Sequence, residues 1–581
     1  MRLIVVSMLA LAALSGESCA SAPPQGNLSG DYLSGRLAAR VNALDDAARV
    51  YAAAHAAAPQ EIQLLKDAFF YQLAAGNVEA AIPYARAVLD KAPKEDDGLA
   101  RATLAASEIK AGRYAEARAM LQGEINAPFV KSLAFLADVW IEKELAGPDA
   151  ALLKLARPPA ELFSGFNQFH EGLLAAEAGR QDQARTALEA SVTGLGGPLA
   201  RRAYGALLER ADAVKAREYY AVLSMEGGAA RRGARMAEER AAAGKPSTEY
   251  MATPAAQGVA AAVYAFSEAM IREAAEERRR AIDAGFKVGE PRFNFPLVWS
   301  RLALYLDPDL DEARYLVGYI LNLYGDYAGA SAVLAAIEPS SPYFEQARID
   351  MASGLMTVEK RSEAERLLKD AARRDPKSRE LKATLATYFA EGGDHARAVA
   401  TLTAVIGSLS AEPPPDSWRY FIARSASLIE LDRWDEAESD LKRAVELAPE
   451  EPTTLNYLGY SWAERGLNLE EAFALLEKAI AKAPDSGAVI DSLGWAQYQL
   501  GRYGEAALNL EKAASMEPSD PTITDHLGDA YWRLDRRIEA RYQWRRALEL
   551  DPAGEHKALL EGKIADGLKT APEQKATDLR E

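Results

Sequence analysis

The stretch "DSLGWAQYQLGRYGEAALNLEKAASMEP" (491–518) is followed by "DHLGDAYWRLDRRIEARYQWRRALELDP" (525–552), and the two align without a gap, 34 residues apart. Upstream, "NYLGYSWAERGLNLEEAFALLEKAIAKAP" (456–484) aligns with one extra residue in its turn. Further second halves follow the same pattern: "DRWDEAESDLKRAVELAP" (432–449), "KRSEAERLLKDAARRDP" (360–376) and "GDYAGASAVLAAIEPSSP" (325–342). A repeat at a fixed period decides the fold before any single element does.

The spacing has a physical reading. Apolar residues recur at three and four, which is helical, and no alternating strand pattern persists. Gly494 and Gly528 are small, so a first helix can lie close on a second; Ala506 and Ala540 do the same from the other side. Leu493, Leu510 and Trp544 fill the space between. Pro518 and Pro552 end each second helix, because proline cannot continue one. Asp520 before Pro521 gives a helix start, a capping oxygen followed by a ring with no amide to satisfy. Each unit is then a helical hairpin that cannot bury its apolar faces alone, so neighbours stack.

Leu-Gly early in the first helix, Gly-Arg-Tyr at the turn, then Ala and Pro resemble the tetratricopeptide repeat. The resemblance implies an all-α superhelical solenoid of antiparallel helix pairs. It is specific over 311–553 and weaker upstream, where "AGRYAEARAML" (111–121) and "AGRQDQARTAL" (178–188) carry the turn and the alanine. The expected organisation is a signal peptide at 1–18, a flexible tether at 19–31 and a degenerate N-terminal solenoid at 32–243. A linker or kink follows at 244–258, then a C-terminal solenoid at 259–553 and a capping helix with a disordered tail at 554–581. Residues 123–165 and 196–243 are expected to form irregular helix pairs, "EPPPD" (412–416) a loop insertion, and "YLVGYILNLYG" (315–325) a buried helix.

Composition narrows the function. The net charge of −17 disfavours nonspecific binding to phosphate backbones. One cysteine permits no internal disulfide and no thiolate metal cage. That cysteine, Cys19, lies just after Arg2 and the apolar run Leu3–Leu14, the pattern of an export signal too short to span a bilayer. The position reads as a lipid-attachment site. Gly16 and Glu17 depart from the usual lipoprotein signal, and ordinary cleavage after Ala20 or Ala22 is the alternative. The chain is expected to be a periplasm-facing outer-membrane lipoprotein, or a soluble periplasmic protein if Cys19 is not acylated.

No catalytic motif emerges. His55, His170, His395, His526 and His556 show no metal-ligand spacing and are expected at the surface or in a groove. "GLGG" (194–197) lacks the lysine of a phosphate loop, and "GYSWA" (459–463) lacks the second glycine of a nucleophile elbow. No cofactor, metal or enzymatic activity is expected.

What remains is a surface. The tetratricopeptide resemblance implies that the first helix of each pair lines the concave wall; the face at i, i+4 and i+7 then gives Asn456, Tyr460 and Ala463; Asp491, Trp495 and Tyr498; and Asp525, Asp529 and Trp532, with Arg533 beside it. Aromatic residues beside polar groups suit a protein or extended-peptide ligand. Packing between repeats is the other reading for Trp495 and Trp532. The leading column, Asn456, Asp491 and Asp525, does not match the Lys and Asn of tetratricopeptide carboxylate clamps; a basic or amide-rich segment fits better.

"LNYLGYSWAERGLNLEEA", "IDSLGWAQYQLGRYGEA" and the stretch from Asp525 to Leu548 resemble the large tetratricopeptide lipoproteins of Gram-negative bacteria over about 455–548. That group includes the lipoprotein adaptor of the periplasmic carboxyl-terminal processing protease. The resemblance implies a non-catalytic scaffold at the cell envelope that binds a processing protease and its cell-wall hydrolase substrates. An assembly factor for polysaccharide export or outer-membrane protein biogenesis is the alternative.

Overall fold

The computed structural model describes residues 28–91, 98–122, 128–159, 164–286, 289, 292–552, 554 and 556–568. Cys19, the expected signal peptide and most of the expected tether lie outside them. Among the described residues there are thirty α-helices, one 3-10 turn and no strand, which is the expected all-α class. No helix among them is long and apolar enough to cross a membrane. The chain divides into two compact units, Met1–Lys360 and Arg361–Glu581.

Over residues 452–550 of the second unit the repeat is visible as one recurring contact. A Cβ placed on Gly494 would stand 2.8 Å from Leu510 Cγ, and one on Gly528 would stand 2.5 Å from Trp544 Nε1. On Gly459 it would stand 2.8 Å from Leu476 Cγ. Each glycine lets the second helix's large side chain lie on the first helix's backbone. Leu476, Leu510 and Trp544 are fully buried there, as are Ala472, Ala506 and Ala540. The turns recur too. Gly501 has φ +76° and Asp535 φ +62°, so the backbone demands the left-handed region whether or not the residue is glycine. The second helices end at Met516 and Leu550, two residues before Pro518 and Pro552. Asp520 caps the helix Pro521–Arg533, accepting from the amides of Thr522 and Ile523 at 2.8 and 3.0 Å. "EPPPD" lies between the helices His395–Gly407 and Trp418–Glu430.

The first unit carries the same contact at two places the sequence marks less clearly. A Cβ on Gly172 or on Gly318 would stand 2.5 Å from Leu188 or Leu334. "YLVGYILNLYG" falls largely in the helix Asp311–Leu323, with Val317, Ile320 and Leu321 buried. The degenerate stretches form irregular pairs, such as the 19-residue helix Pro128–Ala146 before the eight-residue helix Pro148–Leu155.

The boundary between compact units falls at Lys360/Arg361, not in 244–258. Carboxylates fasten that stretch inside the first unit. Glu209 accepts from the Ser247 amide at 2.9 Å, Glu177 from Thr253 at 3.1 Å and Glu144 from Ala255 at 2.9 Å. From Ala255 a 29-residue helix runs to Asp283 and lays Gly258 against the indole of Trp140. Trp140 Nε1 donates to Nδ1 of His170 at 3.0 Å. Full burial lowers the pKa of His170 to about 3, so it stays neutral. His170 is thus a core residue, not the expected surface or groove histidine.

The glycine contact yields a stability test. Gly494→Ala should cost about 1–3 kcal/mol by overpacking against Leu510. Gly504→Ala, where a Cβ meets nothing within 4 Å, should be neutral or stabilising. Thermal unfolding of the two variants checks the contrast; equal melting temperatures would contradict it.

Candidate functional site: the first-helix wall of the second unit

The helices Pro452–Glu464, Gly487–Gln499 and Pro521–Arg533 pack side by side, each backed by its second helix. The expected groove residues sit on this row. The middle helix is enclosed by its neighbours, so Asp491, Trp495 and Tyr498 are only 5%, 8% and 9% exposed. Asn456, Tyr460, Asp525, Trp532 and Arg533 are half-buried, and Asp529 is buried.

The structure joins these residues into two clusters. In the first, the ring of Trp495 stacks between Tyr498 (centroids 4.8 Å, interplanar 5°) and His526 (4.0 Å, 13°). Nδ1 of His526 lies 3.0 and 3.1 Å from the two carboxylate oxygens of Asp491. Tyr460 approaches the same imidazole at 6.4 Å, and Arg533 Nε donates to the Tyr498 hydroxyl at 3.0 Å. In the second cluster, Lys563 Nζ donates to Asp525 at 2.8 Å and to Asp529 at 3.0 Å. Trp544 Nε1 also donates to Asp529, at 2.9 Å. Trp532 packs against Gly567 and Trp544, with Arg537 and Arg541 over its ring at 4.0 and 5.0 Å.

Burial alone would lower the pKa of His526, but the adjacent Asp491 outweighs it and the net shift is upward. The pair is therefore an ion pair below that raised value, with the imidazolium face on the indole of Trp495. Burial likewise opposes the charge on Lys563, and Asp529 and Asp525 together hold its pKa above the ordinary value. The acidic column seen in the sequence is thus neutralised from within. Asp491 belongs to His526, and Asp525 with Asp529 belong to Lys563.

The two charged partners of the acidic residues, His526 and Lys563, are absent from the set that the sequence pattern selects. His526 is neither an exposed nor an open-groove histidine; the ion pair and the stack bury it. Lys563 lies in the capping helix Lys557–Asp566, 34 residues after Asp529, so it occupies the next step of the column Tyr460, Trp495, Asp529. Extending the register past the last recognisable repeat would have found it.

Two polar atoms on the wall are buried without a partner, Trp495 Nε1 and Asn456 Oδ1. The first is a donor and the second an acceptor. Among the described residues no group of three or more His, Cys, Asp or Glu could hold a metal ion.

The His526 pair gives a pH test. A raised folded pKa contributes stability that is fully present below the unfolded value near 6.5 and is lost as pH rises through the folded value. His526→Gln should cost about 3 kcal/mol below that pH, because it leaves a buried carboxylate without its cation. The wild-type advantage in melting temperature should shrink above it. An advantage unchanged from about pH 5.5 to about pH 9 would contradict the ion pair.

Residues 349–414, 423–487 and 492–555 match the tetratricopeptide repeat family. A TPR repeat-containing protein of Pseudomonas aeruginosa is 38% identical over 69 residues, a stretch spanning 12% of this chain and 12% of that relative's length. Among solved structures, the Cut9–Hcn1 hetero-tetramer of APC/C is similar at 14% identity and a TM-score of 0.38, covering 93% of this chain and 97% of that one. PilW, a type IV pilus biogenesis factor, is similar at 20% identity and a TM-score of 0.29, covering 33% and 86%. The repeat match and the helix pairs together make the fold class an all-α tetratricopeptide solenoid, with recognisable tetratricopeptide repeats in three segments between residues 349 and 555.

Proposed function

We propose that the chain is a non-catalytic scaffold whose first-helix wall holds the main chain of a protein or peptide partner. The observation that carries this reading is the pair of unpartnered atoms, Trp495 Nε1 and Asn456 Oδ1. A buried polar group without a partner costs about 1–3 kcal/mol, and a peptide group offers both an acceptor and a donor. Both atoms are closed to solvent, so engagement requires the wall to open slightly. Because His526 and Lys563 already balance the acidic residues, an amide-rich segment suits the wall better than a basic one. The stacked aromatic residues add rigid apolar contact area.

The proposed cellular setting rests on the sequence alone. A lipid on Cys19 would tether the scaffold to the outer membrane facing the periplasm. There the resemblance to the protease-adaptor lipoproteins makes a carboxyl-terminal processing protease and its cell-wall hydrolase substrates the partners to expect.

Trp495→Phe keeps an aromatic ring in the stack while removing the donor together with part of the indole. It should weaken retention of captured envelope proteins by about 2- to 10-fold at a temperature where both proteins remain folded. Equal retention by both proteins would refute the wall assignment. Growth with a radiolabelled fatty acid should label the wild type and not Cys19→Ser; an unlabelled wild type would remove the anchor from this account.

A further inference from the structure

A cavity of about 330 Å³ lies within the first unit, at the small end of ordinary ligand pockets (about 300–1,000 Å³). It is bounded by the helices Pro198–Ala211, Gly228–Ala242 and Ala255–Asp283 and by the segment around Pro342. Its apolar wall includes Tyr220, Leu223, Ala234, Met236 and Pro342. Three arginines and three glutamates also line it: Arg201, Arg202 and Arg240, with Glu249, Glu268 and Glu312.

These charges do not cancel within the cavity. Arg240 is held by Glu209 at 2.5 and 3.0 Å, and Arg201 by Glu226, neither acid being part of the lining. Arg202 is held by Glu249 at 2.6 and 3.0 Å and by Oε1 of Glu312 at 3.0 Å. Each lining arginine is therefore matched, while two lining carboxylates keep spare acceptors. Glu312 is 1% exposed, and its Oε2 is buried without any hydrogen-bond partner. Glu268 lies against the backbone of Gly197; among the described residues its one ion pair is with Arg272, at 4.0 Å. Arg272 Nη1 itself donates to the Leu195 carbonyl at 2.8 Å. Burial holds the Glu268 carboxyl above the usual carboxylate range, as expected of an acid whose counter-ion is too distant.

We propose that this cavity binds an organic cation, a guanidinium or primary ammonium group on a short apolar stem, with its charge between Glu268 and Oε2 of Glu312. The cation supplies the donors that both carboxylates lack, and the stem lies along Tyr220, Leu223 and Met236. The same chemistry comes from a free small molecule or from an arginine or lysine side chain of a partner protein. The site lies wholly in the first unit and does not depend on the first-helix wall of the second.

Titration calorimetry of the full chain tests the proposal with two probes: agmatine for the free cation and acetyl-Gly-Arg-Gly-amide for the side chain. Saturable binding of agmatine alone identifies a small-molecule site, and tighter binding of the peptide identifies a side-chain site. The citrulline version of the peptide should not bind. Glu268→Gln should weaken binding about tenfold or more. Gly233→Leu, where a Cβ meets only Pro342 at 3.8 Å, should fill the cavity and abolish binding without changing any charge. Saturation by neither probe, or equal affinity for wild type and Glu268→Gln, overturns the proposal.

Discussion

The three helix pairs over 452–550 depend on one close approach, a first-helix glycine that admits a large side chain from the second helix. Gly494 under Leu510 and Gly528 under Trp544 bring paired helices together without a gap. A single pair still leaves an apolar face open, so the next pair must cover it. The register of 34 or 35 residues is the consequence. It also fixes which side chains face the row of first helices, so the constraint that makes the fold makes the candidate site.

That row is a polar and aromatic core seam more than a bare channel. His526 is brought onto Trp495 and Asp491 by the packing of two neighbouring first helices, and Lys563 closes the last step through the capping helix. Buried ion pairs of this kind add little net stability against apolar replacements, but removing one partner is costly. Their effect here is to fix the orientation of the Trp495 ring, which leaves its Nε1 without a partner. Trp544, at the equivalent depth in a second helix, has its Nε1 satisfied by Asp529. The contrast between two buried indoles, one bonded and one not, is what sets Trp495 apart.

Much of this was legible in the sequence, for a physical reason. Glycine, alanine and proline at fixed spacing report helix contacts and helix ends directly, so the hairpins around 456–552 and the cap at Asp520 could be read from single residues. The wall residues could be named by helical periodicity. Lys563 lay one register step further on, but that His526 pairs with Asp491, 35 positions away, through side-chain geometry could not be read from that periodicity. The stretch at 244–258 shows a related limit of composition. Its composition suits a linker, but Glu144, Glu177 and Glu209, far away in sequence, satisfy its backbone and fasten it in place.

The most direct test of the central claim is the indole N–H signal of Trp495 by nuclear magnetic resonance, with and without a partner protein recovered by the wild-type chain. The account predicts that this signal shifts when the partner binds, as its N–H gains an acceptor, while that of Trp544 stays where it is. A Trp495 signal unchanged at saturation would contradict the assignment of the first-helix wall as the binding surface.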